Sequence, residues 1–358
     1  MTLIYTRSPY FISVNEAGQT GARIKLYIWN KGTTEPTTPT YIISKNIPSP
    51  TQTELNFNIS NYVREYIDNI APVPSDFITL EENNAWCFVK VEQYSIESGE
   101  DKFVSETTYV ATNGYTKYLD GYNKNTDDTI IPLTNDLQTL YYNRNGTIPY
   151  INLLFDNSTG TESLDVRWLE LNSSTVIDSI GSSEVGIFNY TFTIANTSID
   201  YDNGNRLRII NDATTDIIAT YRVIPICEPK YTPVLCSFIN AKGGWQFLTF
   251  FKAQTNNINV KGSTYKMMPS ALDYNIAQPQ TKSFNINGSQ TIKLNTGWVD
   301  ENYSDIITQL LLSETVLLDG KPVDVKSQSS TLKTSLQDKM INYEIEFEYA
   351  FGLINDVI

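Results

Sequence analysis

Acid–base chemistry in this chain falls to carboxylates, because the sequence contains no histidine. That absence removes Ser-His-Asp and Cys-His nucleophilic catalysis, His-ligated zinc and a histidine pH switch. Paired carboxylates could work as in glycoside hydrolysis, where two acids face each other across a cleft at about 5–9.5 Å. The pairs are Glu81-Glu82, Asp127-Asp128, Glu162 with Asp165, and Asp300-Glu301. Neighbours on a strand point to opposite faces, and most of these pairs stand in hydrophilic, loop-like context. Solvated loop charge is therefore the favoured reading. The run Asn123-Lys124-Asn125-Thr126-Asp127-Asp128 alternates side-chain oxygens as a calcium loop does. Its sixth position is Asp128 rather than Gly, and its twelfth is Thr134 rather than Glu, which favours an Asn/Asp-rich turn. Calcium in another loop geometry stays open. Lys242-Gly243-Gly244-Trp245 lacks the phosphate-loop pattern and reads as a hairpin turn between strands at 236–240 and 246–252.

Sulfur and aromatic groups complete the inventory. Cys87 stands in an apolar, strand-like run and reads as a buried small hydrophobe. Cys227 and Cys236 flank a proline-containing junction, where a disulfide and two free thiols are both open. Tyr10-Phe11, Tyr115 with Tyr118 and Tyr122, Tyr141-Tyr142, and Trp245 with Phe247 could stack on sugars or on protein. Most strand aromatics fill cores. Trp245, expected at the rim of its hairpin, is the one candidate ligand-stacking residue. No catalytic, cofactor-binding or metal-binding residue is assigned, and no cofactor is expected.

The elements that must position these groups are mainly strands. At 358 residues, the chain has room for roughly two or three domains. Charged residues are 18% of it, against a globular average of about 25%, so Asn, Thr, Ser and Tyr must build much of the surface. Aromatics reach 12%, which suits a β-rich protein and argues against disorder. The net charge of −14 makes a poor binder of polyanionic backbones. The opening seven residues lack a charged region followed by an apolar core, so no secretory signal is expected, and Asn-X-Ser/Thr sequons such as those at Asn157 and Asn302 carry no weight. No stretch approaches 18 apolar residues, so no membrane-spanning helix is expected.

Asn113-Gly114, Asp120-Gly121, Asn145-Gly146, Asn203-Gly204, Asn287-Gly288 and Asp319-Gly320 all fit type I′ hairpins. Alternating runs at 24–29, 105–111, 164–171, 188–194 and 207–210 read as strands. In 341–349, Glu344, Glu346 and Glu348 point one way and Tyr343, Ile345, Phe347 and Tyr349 the other. A short helix is expected at 61–67 with Ser60 as N-cap, and a longer one at 304–313 capped by Ser304. The fold class is thus mainly β, with two or three β-sandwiches: 1–115, 116–228 and 229–358, the last carrying the 304–313 helix.

Three segments resemble structural proteins of tailed bacteriophages, especially those of hosts related to Bacteroidetes. They are Arg7-Ser8-Pro9-Tyr10-Phe11-Ile12 with the strand at 24–29; Cys227-Glu228-Pro229-Lys230-Tyr231-Thr232-Pro233 through Phe238-Ile239-Asn240 to Phe250-Phe251-Lys252; and Asn295-Thr296-Gly297-Trp298 followed by the helix, 315–318 and 339–351. Together they cover about a third of the chain. The third is the most specific: its strand, helix, hairpin and long terminal strand look like tail-tube, distal-tail and baseplate sandwich modules. The resemblance carries no site residues over. It implies a virion component, made in a bacterial cytoplasm, that works by assembling.

The residues themselves point the same way. A chain without histidine or cofactor motif, but rich in strands and aromatics, suits a building block. Low charge density lowers the desolvation cost of large contacts. The expected function is a non-enzymatic structural subunit of tail, baseplate or neck. Its partners would be copies of itself in a symmetric ring or other oligomer, and neighbouring virion proteins. No sequence-specific nucleic acid is expected. The alternative is a glycan- or receptor-binding module using exposed aromatics on host surface glycan. A two-carboxylate carbohydrate-degrading enzyme is the third reading.

Overall fold

Alternating apolar residues and glycine turns make the described residues 58% strand and 6% helix, with two α-helices among them and several sheets. It is a mainly β, sandwich-rich fold. The computed structural model describes residues 2–49, 52–68, 78–80, 85–123, 128–134, 139–144, 150–156, 163–173, 176–182, 186–191, 200, 203–267, 276–277, 279–327 and 340–355. The chain divides into two compact units. Unit 1 is Met1–Cys227 with Phe238–Leu248, and unit 2 is Glu228–Ser237 with Thr249–Ile358.

Unit 1 opens with a five-stranded sheet in the order Thr2–Tyr5, Glu100–Thr112, Trp86–Glu97, Gly21–Trp29, Tyr41–Asn46. One face is covered by the ribbon of Phe11–Val14 with Leu55–Asn58 and by the helix Ser60–Arg64. Ile24, Leu26, Val89 and Val91 meet Ile12, Val14, Phe57 and Val63 there. The expected N-cap residue, Ser60, is instead the first helical residue. Its hydroxyl donates to the Ser8 carbonyl at 2.6 Å and accepts the Tyr10 N–H at 2.8 Å, so it ties the helix to the segment that leads into Phe11–Val14.

The ends of the same strands are buried on both faces. Ile4 and Ala111 point into the ribbon-side core, while Leu3, Trp86 and Val110 point the other way and pack on Ile131, Leu133, Leu154 and Ile187. Those last residues belong to a second layer. It comprises a sheet ordered Ile78–Leu80, Gly186–Thr191, Tyr150–Phe155, Ile130–Pro132, and another ordered Thr139–Asn143, Asp216–Ile226, Asn205–Asn211, Leu164–Glu170, Val176–Ser182. Residue 115 lies inside unit 1 because this apolar cluster joins the layers on either side of it.

Unit 2 contributes to a seven-stranded sheet ordered Trp245–Phe250, Val234–Ile239, Val316–Leu318, Lys321–Val325, Met340–Tyr349, Thr281–Asp300, Thr255–Lys266. In the terminal strand, Ile341, Tyr343, Ile345 and Phe347 are buried and Asn342 and Glu344 exposed, as the alternation predicts. The helix runs Tyr303–Leu311 and buries Tyr303, Ile306, Ile307 and Leu310. Its N-cap position is Asn302, so Ser304 lies within the helix, where its carbonyl accepts the Thr308 hydroxyl at 2.9 Å.

Asp319 and Gly320, at φ of 46° and 76°, close the hairpin between Val316–Leu318 and Lys321–Val325. Asn287 and Gly288 instead lie inside the strand Thr281–Asp300, and Asp120-Gly121 ends a short 3-10 turn. Asn145-Gly146 falls outside the described residues. A further hairpin turn, Ser98-Gly99 at φ of 52° and 87°, joins Trp86–Glu97 to Glu100–Thr112.

Candidate functional site

Glu81, Glu82, Asp127 and Glu162 fall outside the described residues. Asp165 is largely buried and accepts the Arg167 Nε–H at 2.6 Å, while Arg167 also reaches Asp212 at 3.0 Å. Asp300 and Glu301 are exposed where a strand gives way to the helix. Among the described residues no three or more Cys, Asp or Glu are grouped to hold a metal ion. The proposed calcium run is mostly outside the described residues; Asn123 alone of its first five is seen, and its side chain binds both backbone groups of Phe11 at 2.6 Å. The three cysteines are free thiols. Burial pushes the Cys87 thiol up to about 12, and burial also raises Cys236.

Trp245 corrects the expectation of a rim position. It is 2% exposed, so both indole faces are covered by protein and neither is open to a sugar. The reason is the turn before it. Asn240, fully buried, accepts the Lys242 and Gly244 N–H groups on its side-chain oxygen at 2.9 and 3.2 Å and donates to the Leu133 carbonyl at 2.7 Å. The Trp245 backbone N–H donates to the Asn152 side-chain oxygen at 2.6 Å. Gly243, at φ of 80°, sits so close to Thr112 that a Cβ would lie 2.6 Å from its side chain. Phe247 stacks edge-on against Tyr150 at 4.5 Å. The hairpin tip is therefore an internal plug of unit 1.

What unit 2 exposes is different. Both strands of the Thr255–Lys266 and Thr281–Asp300 pair are exposed along the outer part of their ladder, forming an arm. Even-numbered positions 286–294 share a face. Leu294 and Ile292 on that face are buried opposite Ile345 and Phe347. The stripe then runs out along the arm, where Asn256, Ile258 and Val260 oppose Ile292, Gln290 and Gly288. Ile258 is 62% and Val260 66% exposed, and Ile286 is exposed too. Tyr265 and Phe284 meet edge-on at 5.6 Å near the end of the arm and remain exposed. Asn287 holds both backbone groups of Ile354, its amide donating and its oxygen accepting, each at 3.0 Å. This adds exposed Leu353 and Ile354 beside the stripe.

Further along the same long strand, a bulge turns Trp298 outward. Register shifts between Asn295 and Trp298, with Gly297 at φ of 76° and its N–H bonded to the Asn295 side chain at 2.7 Å. Without the shift, Trp298 would continue the buried series Ile292, Leu294, Thr296. With it, Val299 takes the inner face and Trp298 is 66% exposed. Leu312, just past the helix, is exposed as well. Asp300, Glu301, Asp305 and Glu314 are exposed nearby in the chain, and residues 294–320 hold no lysine or arginine. Sequence reasoning weighed Trp245 and overlooked Trp298. The available signal was a glycine immediately before a tryptophan inside a strand pattern, which marks a bulge.

Unit 1 displays a second apolar feature, the loop at 115–123. Ser8 accepts the Thr116 N–H at 2.8 Å, and Asn123 clamps Phe11. Between these anchors Tyr118, Leu119 and Tyr122 stand exposed.

No protein-family model matches the chain, and no curated protein sequence matches it.

Proposed function

We propose that this chain is a non-enzymatic structural subunit of a tailed-phage particle, in the tail, baseplate or neck, and that it acts by oligomeric assembly in the virion. The observation that supports this most is the arm. An isolated two-stranded ribbon is marginally stable in water, and soluble monomers rarely leave large contiguous apolar patches uncovered. Here the ribbon is exposed on both faces and carries Ile258, Val260, Tyr265, Phe284 and Ile286. A partner surface would cover these side chains and stabilise the ribbon at the same time. The bulge that turns Trp298 outward adds the residue type most enriched at interface hot spots. The partners in this reading are further copies of the chain and neighbouring virion proteins. The test is mass spectrometry of purified particles: the chain should be present at a stoichiometry that fits a symmetric ring. Its absence from the particles removes the reading.

The 115–123 loop supports a second reading, a glycan- or receptor-binding module. Two exposed tyrosines on a loop anchored at both ends are a low-entropy stacking platform. Loss of binding to host surface glycan in Tyr118→Ala and Tyr122→Ala, with folding intact, would favour it. Unchanged binding in both would remove it.

A further inference from the structure

Resting on the glycan-binding reading, we propose that unit 1 carries a second site, an arginine face that binds an acidic polysaccharide. It lies on the sheet ordered Thr139–Asn143, Asp216–Ile226, Asn205–Asn211, Leu164–Glu170, Val176–Ser182. Register brings four arginines together there. Arg206 stands directly opposite Arg222, and Arg208 directly opposite Arg167. Residues directly opposite share a face, as do residues two apart on one strand, so Arg206 and Arg208 join the two pairs. The four positions step across three adjacent strands, about 5 Å apart between strands and about 7 Å along one. The other face is core: Val166, Trp168, Leu207, Ile209, Tyr221 and Val223 are buried. On the arginine face Arg222 is exposed, and Arg167, Arg206 and Arg208 are part-exposed.

The choice of arginine is itself informative. Between Lys124 and Lys230 the chain has no lysine, and its cations there are Arg144, Arg167, Arg206, Arg208 and Arg222. Arginine presents a planar fork that takes oxyanions bidentately, where lysine offers a point charge. Like charges directly opposite destabilise a sheet, and this face holds two such pairs. They are only partly relieved. Arg167 is held by Asp165 and Asp212. Arg206 donates to the Ser173 carbonyl, a neutral acceptor. Among the described residues no carboxylate pairs with Arg206, Arg208 or Arg222, and the Nε groups of Arg206 and Arg208 have no acceptor. A ligand bearing carboxylate or sulfate groups supplies the missing counter-charge.

Charge density decides which polyanion. The whole chain is −14, so everything outside these +4 residues sums to −18. A duplex carries a phosphate charge about every 1.7 Å, and would run off the arginines onto a negative protein within a Debye length of about 8 Å. A uronate chain spaces its carboxylates by whole sugar rings, which need neighbours of their own. Thr139 lies beside Arg222, and Tyr141, two residues on, shares the face. Thr220 opposes Arg208. A tyrosine and two hydroxyls beside four guanidinium groups suit a ligand that is both acidic and hydroxylated.

The experiment uses the full-length chain and biolayer interferometry at about 50 and 150 mM salt. The probes are polygalacturonate, dextran sulfate, uncharged dextran and a single-stranded oligonucleotide. Wild type should bind one or both acidic polysaccharides, more weakly at the higher salt, and not dextran. The preferred one tells carboxylate from sulfate. R208Q/R222Q should weaken binding about tenfold or more, since hydrogen bonds to charged groups are the strong kind. R208K/R222K keeps the charge but loses the fork, and should recover only part of that. K230Q/K321Q, the same charge change at two exposed sites in unit 2, should bind as wild type does. The melting midpoint of R208Q/R222Q should hold or rise, because like-charge opposition is removed. A purely structural arginine cluster would lower it and leave binding alone.

The site is wrong if wild type binds neither acidic polysaccharide at about 50 mM salt, or if R208Q/R222Q binds as wild type does. If binding is then lost in Tyr118→Ala and Tyr122→Ala instead, the glycan reading stands on its loop. Equal loss in K230Q/K321Q would show net charge acting alone, and would also overturn the site. So would an oligonucleotide bound more tightly than both polysaccharides and lost in R208Q/R222Q, which makes the ligand a nucleic acid.

Discussion

Replacing Trp245 with alanine tests whether the 240–245 hairpin tip is a structural plug or a ligand platform. The indole is 2% exposed, so nearly all of its side-chain area leaves water on folding. An aromatic of this size buries about 150–250 Å², which at about 25 cal/mol per Å² is ~4–6 kcal/mol as an upper bound. Measured aromatic-to-alanine changes in cores cost about 3–5 kcal/mol, and that is the expected loss. With a urea slope of about 3 kcal/mol per molar, the transition reporting unit 1 should move down by about 1–2 M. Trp245→Phe should cost much less, about 1–2 kcal/mol, because it keeps most of the volume and removes an indole N–H that has no partner among the described residues. The assay is equilibrium urea unfolding followed by tyrosine and tryptophan fluorescence and by far-UV circular dichroism. A Trp245→Ala protein with wild-type midpoint and lost glycan binding would refute the burial argument and restore the stacking role.

Three further outcomes follow from the same geometry. Asn240→Ala strands the Leu133 carbonyl and the Lys242 and Gly244 N–H groups, and should destabilise unit 1 by about 2–4 kcal/mol; accelerated hydrogen exchange at the Gly244 amide would locate the damage. Ser98→Asn suits a turn with two positive-φ residues better than serine does, and should stabilise by a few tenths of a kcal/mol in thermal unfolding, a loss showing that another turn geometry holds there. Glu344 and Glu348 are held below the usual carboxylate range by hydrogen bonds from Lys293 and Lys326, whose own values are raised by the same contacts. A depressed acid stabilises above its unfolded value and loses that as pH falls through the folded one; a raised lysine stabilises below its unfolded value and loses that as pH rises through the folded one. Both pairs therefore contribute across neutral pH and fade in acid and in strong alkali. The effect is small and salt-sensitive for such exposed groups, and Lys293→Met and Lys326→Met should flatten the acid side of unit 2's stability profile.

What the sequence made legible was local. The alternation at 341–349 fixes which side chains are buried because a strand has a period of two, whatever lies beyond it. Asp319-Gly320 closes its hairpin because both residues accept positive φ. What stayed hidden depends on partners distant in the chain. Leu3 and Ile4 face different cores, and Ile78–Leu80 pairs with Gly186–Thr191, so the run near 115 gives no local sign of the apolar cluster that spans it. Asn287-Gly288 has turn chemistry, yet it lies in a strand where Asn287 binds the 353–354 backbone, a contact 67 residues away. The two tryptophans show the limit most sharply. Both sit in strands next to glycine. Trp245 is covered because Asn240 and Gly243 pin its turn against Thr112 and Leu133, and Trp298 is bared because a bulge at Gly297 shifts its register. Neither cause is a property of the residue or its hydropathy.

Electron microscopy of the full-length chain at high concentration, in moderate salt, addresses the central claim most directly. The account predicts closed rings or stacked rings in which the arm of each subunit is covered by a neighbour. A field of single monomers with the arm free, from a protein that also cannot be found in purified particles, would contradict it.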